Sequence, residues 1–302
     1  MSASKLVRFN DVVLLTTDPR IAAQQLLAGH LCAVPTETVY GLAARADNPA
    51  AVARIYAVKQ RPADHPLIVH VADADAAWTW ARAFPDYARE LALRCWPGPM
   101  TLVLPRAEHV GDFVTGGQDS VALRVSAHPM MHQLFAQLAA LSAARDSRGK
   151  PVDGLNANEG LTAIGLAAPS ANRFGRVSPT TALHVIDELG PFTGDGDAVL
   201  DGGPCTVGVE STIIDCTGAA PVILRTGAIT EPDVVAITGL PLASRSTVRA
   251  SGTLASHYAP HAIVHAVGSA DDLPVASGNP IGLLALADIG TPAGYVRLSA
   301  PD

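Results

Sequence analysis

The chain has 302 residues, 48% of them hydrophobic and 16% charged, with a formal net charge of −7, which allows one large domain, or one and a smaller unit, and excludes global disorder. The acidic balance argues against a generally basic nucleic-acid-binding surface, and no apolar run reaches the length of a membrane helix. Four cysteines without a CxxC pair, and a start (MSASKLVRFN) without a signal-type apolar core, read as a soluble cytoplasmic protein of a reducing compartment.

The first helix signal is Asp18-Pro19, a cap followed by a first helical residue, with Gly29 as the stop. The strand-like LCAV (31–34) runs into AVPTETVYGL (33–42), where Pro35 ends the apolar run and Thr36, Glu37, Thr38 and Tyr40 crowd together. Such a segment is either a well-capped turn or the wall of a pocket. Asn48-Pro49 opens a second helix, with Val52, Ile55, Tyr56 and Lys59 on one face. Lys59 and Arg61 then project from a helix–loop junction that Pro62 closes. An ammonium beside a guanidinium fork suits a polyphosphate, and it equally suits a helix C-terminus with no ligand.

Further short β-rich runs follow: LIVHV (67–71), TLVL (101–104), VALRV (121–125), GLAA (165–168), STIID (211–215) and VILR (222–225). The polar stretch 142–164 reads as a surface loop or insertion. In APSANRFGRVSPT (168–180), the small Ser170, Ala171 and Asn172 allow close approach of a ligand. Ser178-Pro179 there opens a third helix that ends at Gly190. DGGPCTVGVEST (201–212) is a Gly-rich loop before a strand, and it fits neither of the common phosphate-binding glycine motifs. Strands mixed with helices make residues 11–240 an α/β sheet domain. Residues 241–261 read as a flexible linker. Residues 262–302, with strand-like AIVHAV (262–267) and IGLLAL (281–286), read as a partial α/β unit.

Strand periodicity sets His70, Arg124 and Arg225 opposite the main apolar faces of their own strands. A sheet with one solvated face would produce this, and so would a basic cavity inside an acidic protein. Metal ligation is poorly supported, because Pro129 and Pro260 interrupt the His128/His132 and His257/His261 pairs. No GxSxG elbow or Cys–base pairing suggests a covalent nucleophile.

Taken together, PTETVYGL, KQRPADHPLIVH, WPGPMTLVL, VALRV, APSANRFGRVSPT, GGPCTVGVESTIID, ILRTGAI and SHYAPHA stand in the order found in the threonylcarbamoyl-AMP synthases of the YrdC-like family. The chain resembles the longer, two-domain form of that family over about residues 11–261. The resemblance implies a twisted, open α/β sheet with flanking helices around a basic cavity. It implies synthesis of L-threonylcarbamoyl-AMP from L-threonine, bicarbonate or CO2, and ATP, with Mg2+ and loss of pyrophosphate. The product would pass to a threonylcarbamoyltransferase complex acting on adenosine 37 of tRNAs that read ANN codons. Direct tRNA binding is left open, and no membrane is involved. Carried over by motif, Thr38, His70, Arg124, Ser170 and Ser211 contact L-threonine, with Arg124 on its carboxylate. Arg61, His65, Ser120, Ala168, Ser178, Arg225 and Tyr258 line the ATP site, and Lys59 and Arg61 serve the phosphates. Against the family pattern, His65 replaces an Asn common in relatives, the 142–164 segment is long, and the C-terminal domain is shortened.

Overall fold

The computed structural model describes residues 7–9, 13–143, 163–252 and, beyond them, 265, 269, 272–274, 281–284, 291–292 and 295–297. The chain divides into two units, Met1–Ala259 and Pro260–Asp302.

The first unit is built on an eleven-stranded mixed sheet. In chain order its strands are β1 (Val7–Phe9), β2 (Val13–Thr16), β3 (Cys32–Val34), β4 (Gly41–Arg45), β5 (Ile68–Val71), β6 (Met100–Pro105), β7 (Ser120–Arg124), β8 (Gly165–Ala167), β9 (Ala198–Leu200), β10 (Thr212–Asp215) and β11 (Val222–Arg225). Their spatial order is β1-β2-β9-β3-β4-β8-β5-β7-β6-β10-β11. The predicted strands are present within a residue of their expected limits. β1, β2, β4 and β9 are additional; in β4 the small residues Ala43 and Ala44 carry little periodic signal.

Helix starts follow local capping chemistry. Asp18 accepts from the N–H of Arg20 at 2.8 Å to open α1 (Pro19–Leu27), and Asn48 accepts from Ala51 at 3.1 Å to open α2 (Pro49–Lys59). The chain continues through α3 (Ala74–Trp80), α4 (Asp86–Cys95), α5 (Asp112–Thr115), α6 (Pro129–Ala143), α7 (Ala182–Leu189) and α8 (Glu231–Thr238). The third predicted helix starts later than expected. Thr181, not Ser178, caps α7, accepting from His184 N at 3.2 Å. The backbone of 179–180 is taken by neighbours instead: Pro179 O accepts from Tyr40 N and Thr180 O from Cys205 N.

Helices cover both faces. One face of β4–β7 sends Leu42, Ala44, Val69, Val71, Leu102 and Leu123 into the larger core with α2, α3 and α4. On the other face, α1 and α6 cover β3, β4 and β8 through Leu26, Leu134 and Leu166. Further along that second face, Ile68, Val103 and Ile213 pack against Val248 and Ala250. The stretch read as a flexible linker is therefore tied down in part. Ser246 Oγ donates to Asp215 at 2.5 Å, and Arg249 N donates to Gln118 at 2.7 Å.

In the second unit, β12 (Ile281–Leu283) pairs in parallel with β13 (Tyr295–Arg297). Residues 262–264 and 266–267 of the first strand predicted there, and 144–162 of the polar stretch, lie outside the described residues.

Candidate active site

β3 and β4 form an antiparallel pair with Val34 opposite Gly41, so PTETVY is the loop of a hairpin. It is both a capped turn and a pocket wall. Thr36 Oγ1 donates to Val39 O at 2.6 Å and accepts from the N–H groups of Thr38 and Val39, while Thr36 also lines a cavity. The approach is close at Gly41, where a Cβ would sit 3.3 Å from that of Ala168 beside the Gly41–Ser170 bridge. Tyr40 ties the hairpin to the Gly-rich loop, donating to Gly203 O at 2.8 Å and accepting from Gly202 N at 3.2 Å.

The cavity lies on the second face of the sheet, with about 310 Å³ of space that includes its opening to solvent. β5 and β7 run parallel with His70 in register with Arg124, so the two polar residues stand side by side in its wall. Both are 3% exposed. Burial, and then the neighbouring Arg124, push the His70 imidazole down to about 3, so it is neutral at physiological pH. Arg124 Nη2 donates to Glu37 Oε1 at 2.8 Å. Burial by itself would raise the Glu37 carboxyl, but the Arg124 charge and the Ser126 hydroxyl outweigh that and hold it below the ordinary carboxylate range. His70 Nδ1 and Arg124 Nε are buried with no hydrogen-bond partner among the described residues. A buried orphan donor beside an orphan imidazole nitrogen is costly unless a ligand completes the pair.

The opposite wall is Arg225, Glu210 and Ser251. Arg225 donates to Ser211 O, Ser211 Oγ and Ser251 O, each at 3.0 Å, and meets Glu210 at 3.3 Å. Ser211 Oγ is also 2.8 Å from Thr101 Oγ1. Ser178 Oγ donates to Glu210 at 2.7 Å. Arg61, 6% exposed, reaches Ser251 Oγ at 3.2 Å and lies 5.8 Å from the Phe174 ring centre. His65 meets the same ring edge-on at 5.3 Å, and burial together with Arg61 lowers its pKa.

Lys59 does not project. It is 1% exposed, and its Nζ donates to the carbonyls of Ser170 and Asn172. Burial, then Arg61, lower it to about 7. The turn that separates it from Arg61 is Gln60, whose φ of 52° is left-handed. That residue ends α2 and sends the two cations to different neighbours: Lys59 holds the 170–172 loop, and Arg61 reaches Ser251 in the cavity lining.

His70, Ala168, Ser170, Arg124 and Arg225 thus line one cavity. Ser211 and Arg61 each stand one hydrogen bond behind it, and Ser178 bonds to its Glu210. Thr38 lies behind Thr36, the hydroxyls 2.9 Å apart. Ser120 is buried at the start of β7, on the Arg124 side of that strand. Tyr258 lies outside the described residues. Glu37, Glu210, Ser126 and Ser251 received no role from sequence. A Glu at the head of each arginine was visible only as composition, because the partners are 87 residues apart for Arg124 and 15 for Arg225. The solvated-face alternative fails, because both faces are covered. The cavity is less basic than expected, since two of its arginines come with built-in carboxylates.

The fold and site define an open α/β sheet protein with a buried pocket lined by two arginines. The chain belongs to the Sua5_yciO_yrdC family, described as "Telomere recombination", which matches residues 24–227. It is 40% identical over 252 residues to the threonylcarbamoyl-AMP synthase of Pyrococcus abyssi, covering 81% of this chain and 66% of that protein. It is 41% identical over 230 residues to the enzyme of the same name from Bacillus subtilis, covering 75% and 58%. The chain therefore spans under two thirds of the length of these relatives. The crystal structure of P. abyssi Sua5 complexed with L-threonine is similar with a TM-score of 0.68 and 36% identity, covering 87% of this chain and 67% of that one.

Proposed function

We propose that this protein makes L-threonylcarbamoyl-AMP from L-threonine, bicarbonate or CO2, and ATP, releasing pyrophosphate. The observation that carries the reading is the side-by-side pair of buried, unpartnered nitrogens on Arg124 and His70. An α-amino acid offers a carboxylate to the first and a hydrogen-bond donor to the second. The relatives' names and the L-threonine complex of P. abyssi Sua5 support the same ligand.

The chemistry needs no enzyme nucleophile. The threonine amine takes up CO2 as a carbamate, whose oxygen attacks the α-phosphorus of ATP. The protein's task is to hold the reactants in line and offset phosphate charge. Thr38, Ser170 and Ser211 complete the threonine side, Thr38 through Thr36. Arg61, Arg225, Ser178, His65, Ser120, Ala168 and Tyr258 make the ATP side. Lys59 acts through the 170–172 loop that it clamps. Among the described residues no three His, Cys, Asp or Glu side chains gather as a metal cage. Mg2+ would come in on the nucleotide phosphates, where Glu210 in the cavity wall offers a carboxylate oxygen. The product goes to a threonylcarbamoyltransferase in the cytoplasm. Among the described residues no helix is long and apolar enough to cross a membrane.

The test is direct. Purified protein is mixed with ATP, Mg2+, bicarbonate and each amino acid in turn, and the mixed anhydride is sought by mass spectrometry. A threonine-dependent adduct with pyrophosphate is the expected result. Pyrophosphate release that ignores the amino acid would defeat the proposal.

A further inference from the structure

Arg124 must be held in place while the pocket is empty, because a lone buried guanidinium is costly and adopts many rotamers. Glu37 does this. It is 6% exposed, and its carboxylate gathers three donors: Arg124 Nη2 at 2.8 Å, Ser126 Oγ at 2.5 Å and Ala127 N at 3.2 Å. Its own backbone carbonyl accepts from Val207 N at 2.7 Å. Ser126 is fixed in turn, its hydroxyl accepting from His128 N at 3.2 Å just before α6. The carboxylate is therefore tethered at two points besides Arg124.

We propose that Glu37 is a positioning residue that makes the pocket selective for amino acids bearing a carboxylate. It engages one guanidinium nitrogen and leaves Arg124 Nε as the donor offered to the ligand. The Arg124–Glu37 pair is neutral as a unit and stands beside an imidazole held neutral. A zwitterion can enter this setting without adding net charge, whereas an amino alcohol adds a charge and brings no carboxylate for Arg124. The inference rests on the reading of this pocket as an L-threonine site.

The test is Glu37→Gln. The amide oxygen can still accept from Ser126 and Ala127, but the amide nitrogen then confronts the Arg124 donor, and the clamp is lost. Binding of L-threonine and of the amino alcohol obtained by reducing its carboxylate is measured by calorimetry, and ATP binding is measured separately. The expected result is a loss of about 10–100-fold for L-threonine, the scale of one charge-assisted contact. ATP affinity should stay within about threefold, and the preference for threonine over the amino alcohol should fall toward one. An unchanged preference overturns the proposal. If the variant does not fold, Ser126→Ala decides: a smaller fall in the same preference supports it, and none overturns it. Wild-type protein that binds threonine no better than the amino alcohol would instead refute the pocket reading itself.

Discussion

Lys59→Met isolates the energetic role of the buried lysine. The wild-type ammonium is buried, and burial and then the Arg61 charge lower its pKa from an ordinary 10.5 to about 7. The folded state thus binds fewer protons than the unfolded chain between those limits, and stability rises with pH across that window. Integrating the linkage from pH 7 to pH 9 gives a rise of about 2 kcal/mol from this group alone. Two protons still satisfy the carbonyls of Ser170 and Asn172 when the amine is neutral, so the contact survives the titration. Methionine removes the desolvation cost but orphans both carbonyls, at about 1–3 kcal/mol each. The two changes largely cancel at pH 7. Urea unfolding of both proteins at pH 7, 8 and 9 tests this, because other groups titrating there, such as buried thiols, drop out of the difference. The expected outcome is a gap that widens by about 2 kcal/mol in favour of wild type as pH rises. A pH-independent gap would show that Lys59 is not charge-destabilised in the fold, and the reasoning fails.

Three further outcomes follow from the same geometry. Arg61→Ala should weaken ATP or transition-state binding by about 2–4 kcal/mol, with unchanged threonine-dependent pyrophosphate release counting against its role. His70 has a folded pKa of about 3, below its unfolded value, so it contributes stability that is lost as pH falls from about 6.5. His70→Gln should flatten acid unfolding between pH 6 and pH 4 by about 2–3 kcal/mol relative to wild type, and parallel curves would contradict the neutral assignment. Gly227→Ala would set a Cβ 2.4 Å from Glu210 O and 2.6 Å from Thr212 N, displacing the backbone that carries Ser211 and Glu210. A cost of about 1–3 kcal/mol and a fall in catalytic rate are expected, and wild-type kinetics would show that this joint tolerates movement.

The parts of the fold that read directly were those governed by near neighbours. Asp18 and Asn48 cap the helices that their Pro-led sequences announce, because a side chain reaching two or three residues along needs no tertiary context. Ser178 failed as a cap for the opposite reason. The backbone after it is claimed by Tyr40 and Cys205, from loops far away in sequence, and the helix must wait for Thr181. Strand periodicity located His70, Arg124 and Arg225 on one side of their strands, yet it could not say whether that side met water or a cavity. Lys59 was placed at the right helix end with the wrong outlook, because one left-handed residue, Gln60, turns Lys59 away from Arg61.

The sequence by itself determined which residues are cations, caps and strand formers, and in which order the motifs run, since these are properties of short segments. Only the tertiary structure decided that Glu37 engages Arg124 across 87 residues and that Ser251 meets Arg61 across 190. Charge compensation depends on distance in space, which falls to hydrogen-bond range only after an eleven-stranded sheet has brought distant strands together.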